Sequence, residues 1–224
     1  MLILLKEIVN FFIKNLLPIS LLTLSIEIPY ILIQNFKYFT ELPQVISFGL
    51  SIILFVASFI IYPLATGAQS FLYYQIINGS ELDIIKCIIG SKKYLINLVI
   101  GSFVYLVLTL LGLIAFIIPG IIIGVRLSFY CFLIIFEDYP PLDALKESYR
   151  ITTGSTWQIA NPSIILGIPI VAASILIQEL LIEMDLYNIF FGTIIDSAFA
   201  ILGWLNLILF FRFYCIYKNE GKLN

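Results

Sequence analysis

The chain has 224 residues, is 61% hydrophobic and only 12% charged, and carries a mean hydropathy of +1.08 with a formal net charge of −2. A soluble domain is about 45–50% apolar and about 25% charged, so this composition excludes one. Scattered lysines and arginines and a pI near 5.1 exclude a nucleic-acid-binding surface, and the absence of histidine excludes serine–histidine hydrolases and histidine-liganded metal centres.

Residues 2–15, LILLKEIVNFFIKN, set Lys6, Glu7, Asn10 and Lys14 apart from Ile3, Leu4, Ile8, Phe11 and Phe12. This is the pattern of a helix lying at a membrane surface. No small-residue cleavage site follows it, so the first apolar run is expected to be retained. Six apolar segments come next, at 16–35, 45–77, 95–118, 121–137, 158–182 and 193–216. Each is close to or beyond the roughly 20 residues that cross about 30 Å of hydrocarbon as a helix. Tyr62-Pro63 and Gly67 are expected to kink the second, and Pro162 and Pro169 to bend the fifth. Pro119-Gly120 separates the third from the fourth and reads as the turn of a helical hairpin.

Ten of the twelve positive residues fall on one side of this pattern: Lys6, Lys14, Lys86, Lys92, Lys93, Lys146, Arg150, Arg212, Lys218 and Lys222. That side is expected to be cytoplasmic, with both termini on it. It also carries two polar stretches. In LDALKESYRITTGSTW, residues 142–157, Leu142, Leu145 and Tyr149 recur at helical spacing while Asp143, Lys146, Glu147 and Arg150 occupy the other face. Pro141 suits its first turn, Gly154 its end, and Trp157 the entry of the fifth span into the bilayer. In SELDIIKCIIGSKKYL, Ser80 and Asp83 stand at capping-box spacing, Leu82, Ile85, Ile88 and Ile89 form an apolar face, and Gly90 offers a stop. Leu82-Asp83 and Lys86 align with Leu142-Asp143 and Lys146. One reading is a parallel repeat of 45–118 and 121–182; the other is two interfacial helices shaped by the same physics.

The fold expected is therefore all-α: a polytopic membrane helix bundle forming one integral membrane domain over 1–224. It would have six transmembrane helices, an N-terminal interfacial helix and two cytoplasmic amphipathic helices.

Several of these stretches carry a family resemblance: Asn10-Phe11-Phe12, Ile118-Pro119-Gly120-Ile121-Ile122, the span Arg126 to Glu137, Ala144 to Trp157, and Phe-Arg-Phe-Tyr at 211–214. With them the chain resembles the YciC-like family of bacterial inner-membrane proteins. It is distantly similar to the membrane domain attached to some glycerophosphodiester phosphodiesterases, whose catalytic activity resides in a separate soluble domain absent here. The resemblance implies multi-pass inner-membrane localisation and no reaction. The chain departs from the family in its Ile, Asn, Lys and Tyr richness and in the shortness of the connection between the first two spans.

Candidate functional residues are the ionisable groups inside the spans, because a charge at the bilayer centre costs at least about 2.5–3.5 kcal/mol and is usually paired or functional. Glu27 lies about 12 Å from the outer end of the first span and Arg126 about 9 Å into the fourth, at 1.5 Å per residue. The matched depths predict an ion pair, with Glu179 and Asp196 facing the same polar cleft; snorkelling of Arg126 is the alternative. Lys86, Lys92, Lys93, Lys146 and Arg150 are placed to meet anionic headgroups of the inner leaflet. Phe71, Tyr73, Tyr74 and Tyr94 read as an aromatic belt. Gly112, Gly120 and Gly124 are spaced for helix packing, not for a phosphate loop, and Cys87, Cys131 and Cys215 read as small apolar residues. No metal, cofactor or catalysis is expected. The function expected is a non-catalytic scaffold, assembly or lipid-organising factor whose partners are membrane lipids and other membrane proteins. The competing expectation is a small transporter or permease subunit using a cleft near Glu27 and Arg126.

Overall fold

The computed structural model describes residues 1–39 and 42–219, which leaves Lys222 outside it. Among the described residues there are nine helices: α1 (Leu2–Lys14), α2 (Leu16–Phe39), α3 (Gln44–Ile77), α4 (Ile84–Ala115), α5 (Ile117–Leu127), α6 (Tyr130–Phe136), α7 (Pro141–Thr152), α8 (Thr156–Glu183) and α9 (Ile189–Asn219). Six stretches are long and apolar enough to cross a membrane: α2, α3, α4, α5 with α6, α8 and α9. The chain is thus built as a multi-pass membrane protein. Most positive residues gather at one end of the bundle, here the basic end; the other is the far end.

The run Ile117–Phe136 is 56% buried, whereas α3 and α8 are 6% and 0% buried over their most apolar windows. The inner end of α5, from Gly124, and α6 therefore form the centre, and the long helices turn apolar surface outward. Around α6 the core is largely aromatic. Phe132 meets Phe211 and Tyr214 with ring centroids 5.4 and 5.3 Å apart, and Phe136 stacks on Tyr74 at 5.2 Å. Tyr73 is fully buried in this cluster, so it belongs to the core and not to an interfacial belt. Cys87 and Cys131 are buried and Cys215 is half-buried, all as free thiols.

Without a hydrophobic drive between helices in lipid, close approach must come from small residues. At Gly67 on α3, an added Cβ would lie 2.2 Å from the Ser91 hydroxyl of α4, which itself donates to the Leu64 carbonyl at 2.8 Å. Gly112 of α4 meets Gly120 of α5 so closely that an added Cβ would be 2.9 Å from the Gly120 Cα. That contact moves the hairpin turn. The single non-helical residue is Phe116, extended at φ −163° and ψ 149°; Pro119 sits in the first turn of α5 and Gly120 inside it. A proline is tolerated there because its missing N–H would have had no helical partner.

The second polar stretch forms a separate helix, α7, beginning at Pro141 and followed by Gly154 at φ +91°. It buries Ala144, Leu145, Ser148, Ile151 and Thr152 while Leu142 and Tyr149 are exposed, so its inner face lies beside the one expected from Leu142, Leu145 and Tyr149. The first polar stretch does not form a helix of its own. Asp83, not Ser80, caps α4, accepting from the Lys86 N–H at 3.0 Å, and α4 runs on through Gly90, which packs against the Phe71 ring. The segments 45–118 and 121–182 therefore differ in build: two long helices in one, four helices in the other. α3 likewise continues through Pro63 as one helix.

α7 folds back along α6 and closes a break in the fourth span. The Ser148 hydroxyl donates to the Arg126 carbonyl at 2.7 Å and accepts from the Phe129 N–H at 3.0 Å; the Thr152 hydroxyl, 2.7 Å from the Ser148 carbonyl, also lies within reach of the Arg126 carbonyl at 3.1 Å. These bonds satisfy backbone groups that the helix leaves open between Leu127 and Tyr130. At the other end of α6, Glu137 accepts from Tyr214 at 2.7 Å and from Lys218 at 2.5 Å, tying the span to α9.

Candidate functional site: a polar cleft at the far end

Polar side chains are rare in these spans, yet on α2 they recur at helical spacing as Thr23, Glu27, Tyr30 and Gln34. This stripe faces α3, α8 and α9. At its inner end, Gln69 of α3 donates to the Thr23 hydroxyl at 2.9 Å and to the Ile19 carbonyl at 3.2 Å, which locks α3 to α2. One turn farther out, Glu27 is 5% exposed, and its Oε1 is buried without a hydrogen-bond partner.

Glu27 lines a chamber of about 230 Å³ together with Tyr30, Gln34, Tyr62, Ser174, Gln178, Asp196 and Phe199. Tyr30, Gln34, Gln178 and Asp196 are shared with a larger outer chamber of about 750 Å³, which Asn35, Lys37, Ser47, Ser51, Ser58 and Tyr187 also line. Asp196 of α9 stands between the two. Its carboxylate accepts from the Asn35 amide of α2 at 2.8 Å and from the Gln178 amide of α8 at 2.9 Å, so three helices meet on one side chain. Lys37 donates to the Ser51 hydroxyl across α2 and α3. Such an arrangement has the chemistry to hold a small polar solute, because acceptors and amides converge on a recess with mixed polar and apolar walls.

Of the four residues expected to share a cleft, the structure brings Glu27 and Asp196 together. Glu179 is exposed on α8 and does not line it. Arg126 makes no ion pair with Glu27. It donates to the Tyr149 hydroxyl at 2.6 Å and to the Thr156 hydroxyl at 3.0 Å, with its guanidinium 4.7 Å from the Tyr149 ring centre. Equal depth does not fix the side a residue faces: Arg126 lies within the continuous α5, and the return of α7 brings Tyr149 and Thr156 against it at the α7–α8 junction.

At the basic end, three of the five cations expected at headgroups are paired with an acid on their own helix: Lys86 with Asp83 at 3.2 Å, Lys146 with Asp143 at 3.1 Å and Arg150 with Glu147 at 2.5 Å. The hydrogen bond from Arg150 holds the Glu147 carboxyl below its ordinary range, and the Lys86 backbone N–H does the same for Asp83. Lys93 lies 5.2 Å from the Tyr94 ring centre, and Lys92 is exposed.

A second cavity, of about 600 Å³, opens between α4, α5, α8 and α9 and is largely apolar; Asn206 accepts there from Ser163 at 3.1 Å. Among the described residues, no three His, Cys, Asp or Glu side chains are grouped to hold a metal ion. Comparison with protein-family models, with curated proteins and with solved structures returned no match.

Proposed function

We propose that this chain is a non-catalytic, multi-pass protein of a bacterial inner membrane that binds a small polar solute in the far-end cleft and passes it across the bilayer, as a small transporter or permease subunit. In this reading the basic end is cytoplasmic, and the cleft opens to the opposite side. The orientation draws support from Lys6, Lys14, Lys86, Lys92, Lys93, Lys146, Arg150, Arg212 and Lys218 at the basic end against Lys37 at the other. The bacterial inner membrane rests on the family resemblance.

One observation carries the solute-binding reading: a buried Glu27 oxygen without a partner, on the wall of a polar chamber that continues outward past Asp196. A carboxylate in a span is costly, and proteins keep one where it serves a path or a ligand. The scaffold or lipid-organising reading draws less support. α7 spends its inner face on packing, and the partners of Lys86, Lys146 and Arg150 on their own helices compete with headgroups.

Cysteine accessibility tests this. In a cysteine-free background in sealed vesicles, Ser174→Cys in the chamber is expected to react with a membrane-impermeant maleimide added at either face, because a path must open alternately to both. Leu176→Cys, exposed on the same helix, is expected to stay unlabelled. Labelling of Ser174→Cys from one face alone refutes transport.

A further inference from the structure

We infer that the inner chamber is a site for a small organic cation, an alkylammonium group seated between Glu27 and Asp196. This rests on the solute-binding reading above and specifies the ligand. The chamber's walls hold two carboxyl groups and no lysine or arginine. Asp196 is held by two neutral amides, which orient it without an ion pair. Glu27 is 5% exposed, and its Oε1 has no protein donor. A buried carboxylate in that state needs a cation or a proton, and the protein supplies no cation there.

Size and wall chemistry select an organic cation over a bare metal ion. About 230 Å³ is the liquid volume of about eight waters, room for a solute of about five to eight heavy atoms. Tyr30 and Tyr62 form an edge-to-face pair in the wall, ring centres 6.5 Å apart. Aromatic faces attract alkylammonium groups, whereas a hard metal ion wants six or more oxygen ligands. Gln34 and Gln178, at the boundary with the outer chamber, supply carbonyl acceptors to a solute arriving from the far end.

Equilibrium binding to the purified full-length chain tests this at constant ionic strength. The probes are tetramethylammonium, its neutral counterpart tert-butanol, the anion pivalate, and sodium ion alone. Tetramethylammonium is expected to bind saturably, at least tenfold more tightly than tert-butanol. Glu27→Gln and, independently, Asp196→Asn should each weaken it at least tenfold while circular dichroism and monodispersity stay as in the parent. Saturable binding of pivalate or tert-butanol that depends on Glu27 would overturn the cation assignment and leave the solute cleft standing. Binding of sodium alone would also overturn it. A folded protein that binds none of the four refutes both the cation assignment and the solute-binding reading.

Discussion

Ser148→Ala removes one buried hydroxyl that serves two backbone groups at the break in the fourth span. The side chain is fully buried; it donates to the Arg126 carbonyl at 2.7 Å and accepts from the Phe129 N–H at 3.0 Å. The Thr152 hydroxyl, 3.1 Å away, can turn from the Ser148 carbonyl to the Arg126 carbonyl, so the main cost falls on the Phe129 N–H, which loses its acceptor. Leaving a buried donor unsatisfied costs about 1–3 kcal/mol, and about 2 kcal/mol, a roughly thirtyfold shift in the unfolding equilibrium, is expected here. Thr152→Val should cost less, about 0.5–1 kcal/mol, because Ser148 still serves the carbonyl. The double variant should depart from additivity, since both hydroxyls meet on Arg126. Reversible unfolding in mixed micelles, followed by circular dichroism, measures all three; amide exchange at Phe129 should quicken in Ser148→Ala alone. A Ser148→Ala loss no larger than that of Thr152→Val would refute the claim that this hydroxyl holds the break together.

Three further outcomes are expected. Gly120→Ala places a Cβ 2.6 Å from the Leu113 backbone nitrogen and should destabilise by about 1–3 kcal/mol, whereas Gly124→Ala, whose nearest neighbour is a Thr109 methyl at 3.3 Å, should be nearly neutral by the same assay. The Glu147–Arg150 pair depresses the Glu147 carboxyl, so its contribution is present above the ordinary glutamate pKa near 4.3 and is lost as pH falls through the lower folded value. The acid limb of the melting profile should therefore flatten in Glu147→Gln. With the native cysteines replaced, Glu81→Cys should label with impermeant maleimide from the cytoplasmic face and Glu183→Cys from the opposite one; labelling of both from the same face would refute the orientation.

Hydropathy made the six spans legible, because covering about 30 Å of hydrocarbon leaves no room for disguise. Connections were legible only where the chain is locally decisive, as at Pro141 and Gly154. Pro119-Gly120 misled because the same dipeptide suits a turn and the first turn of a helix, and only the Gly112 contact selects between them. The continuity of α4 through Gly90 was equally hidden, since the Phe71 ring that packs there comes from another helix. Half of the cleft was legible as isolated charges in Glu27 and Asp196. The neutral half, Tyr30, Gln34, Asn35 and Gln178, was overlooked, though the Thr23, Glu27, Tyr30, Gln34 spacing on one helix was a usable signal. The pairing of Glu27 with Arg126 failed because depth does not fix which neighbours a side chain faces: Arg126 turns to Tyr149 of α7 and Thr156 of α8.

The one-residue turn at Phe116 bears on where the bilayer ends. Ile114, Phe116, Ile117 and Ile118 are 81%, 75%, 71% and 60% exposed, and no side chain from Leu110 to Ile123 carries a polar atom. Such a tip is unsuited to water. Two backbone bonds close the turn: the Phe116 N–H donates to the Gly112 carbonyl at 3.0 Å and the Phe116 carbonyl accepts from the Gly120 N–H at 3.2 Å, while Pro119 carries no N–H to satisfy. A tip this apolar is expected to turn round at or beneath the headgroups, so that a protease or antibody working from that side should find no polar loop there to grip.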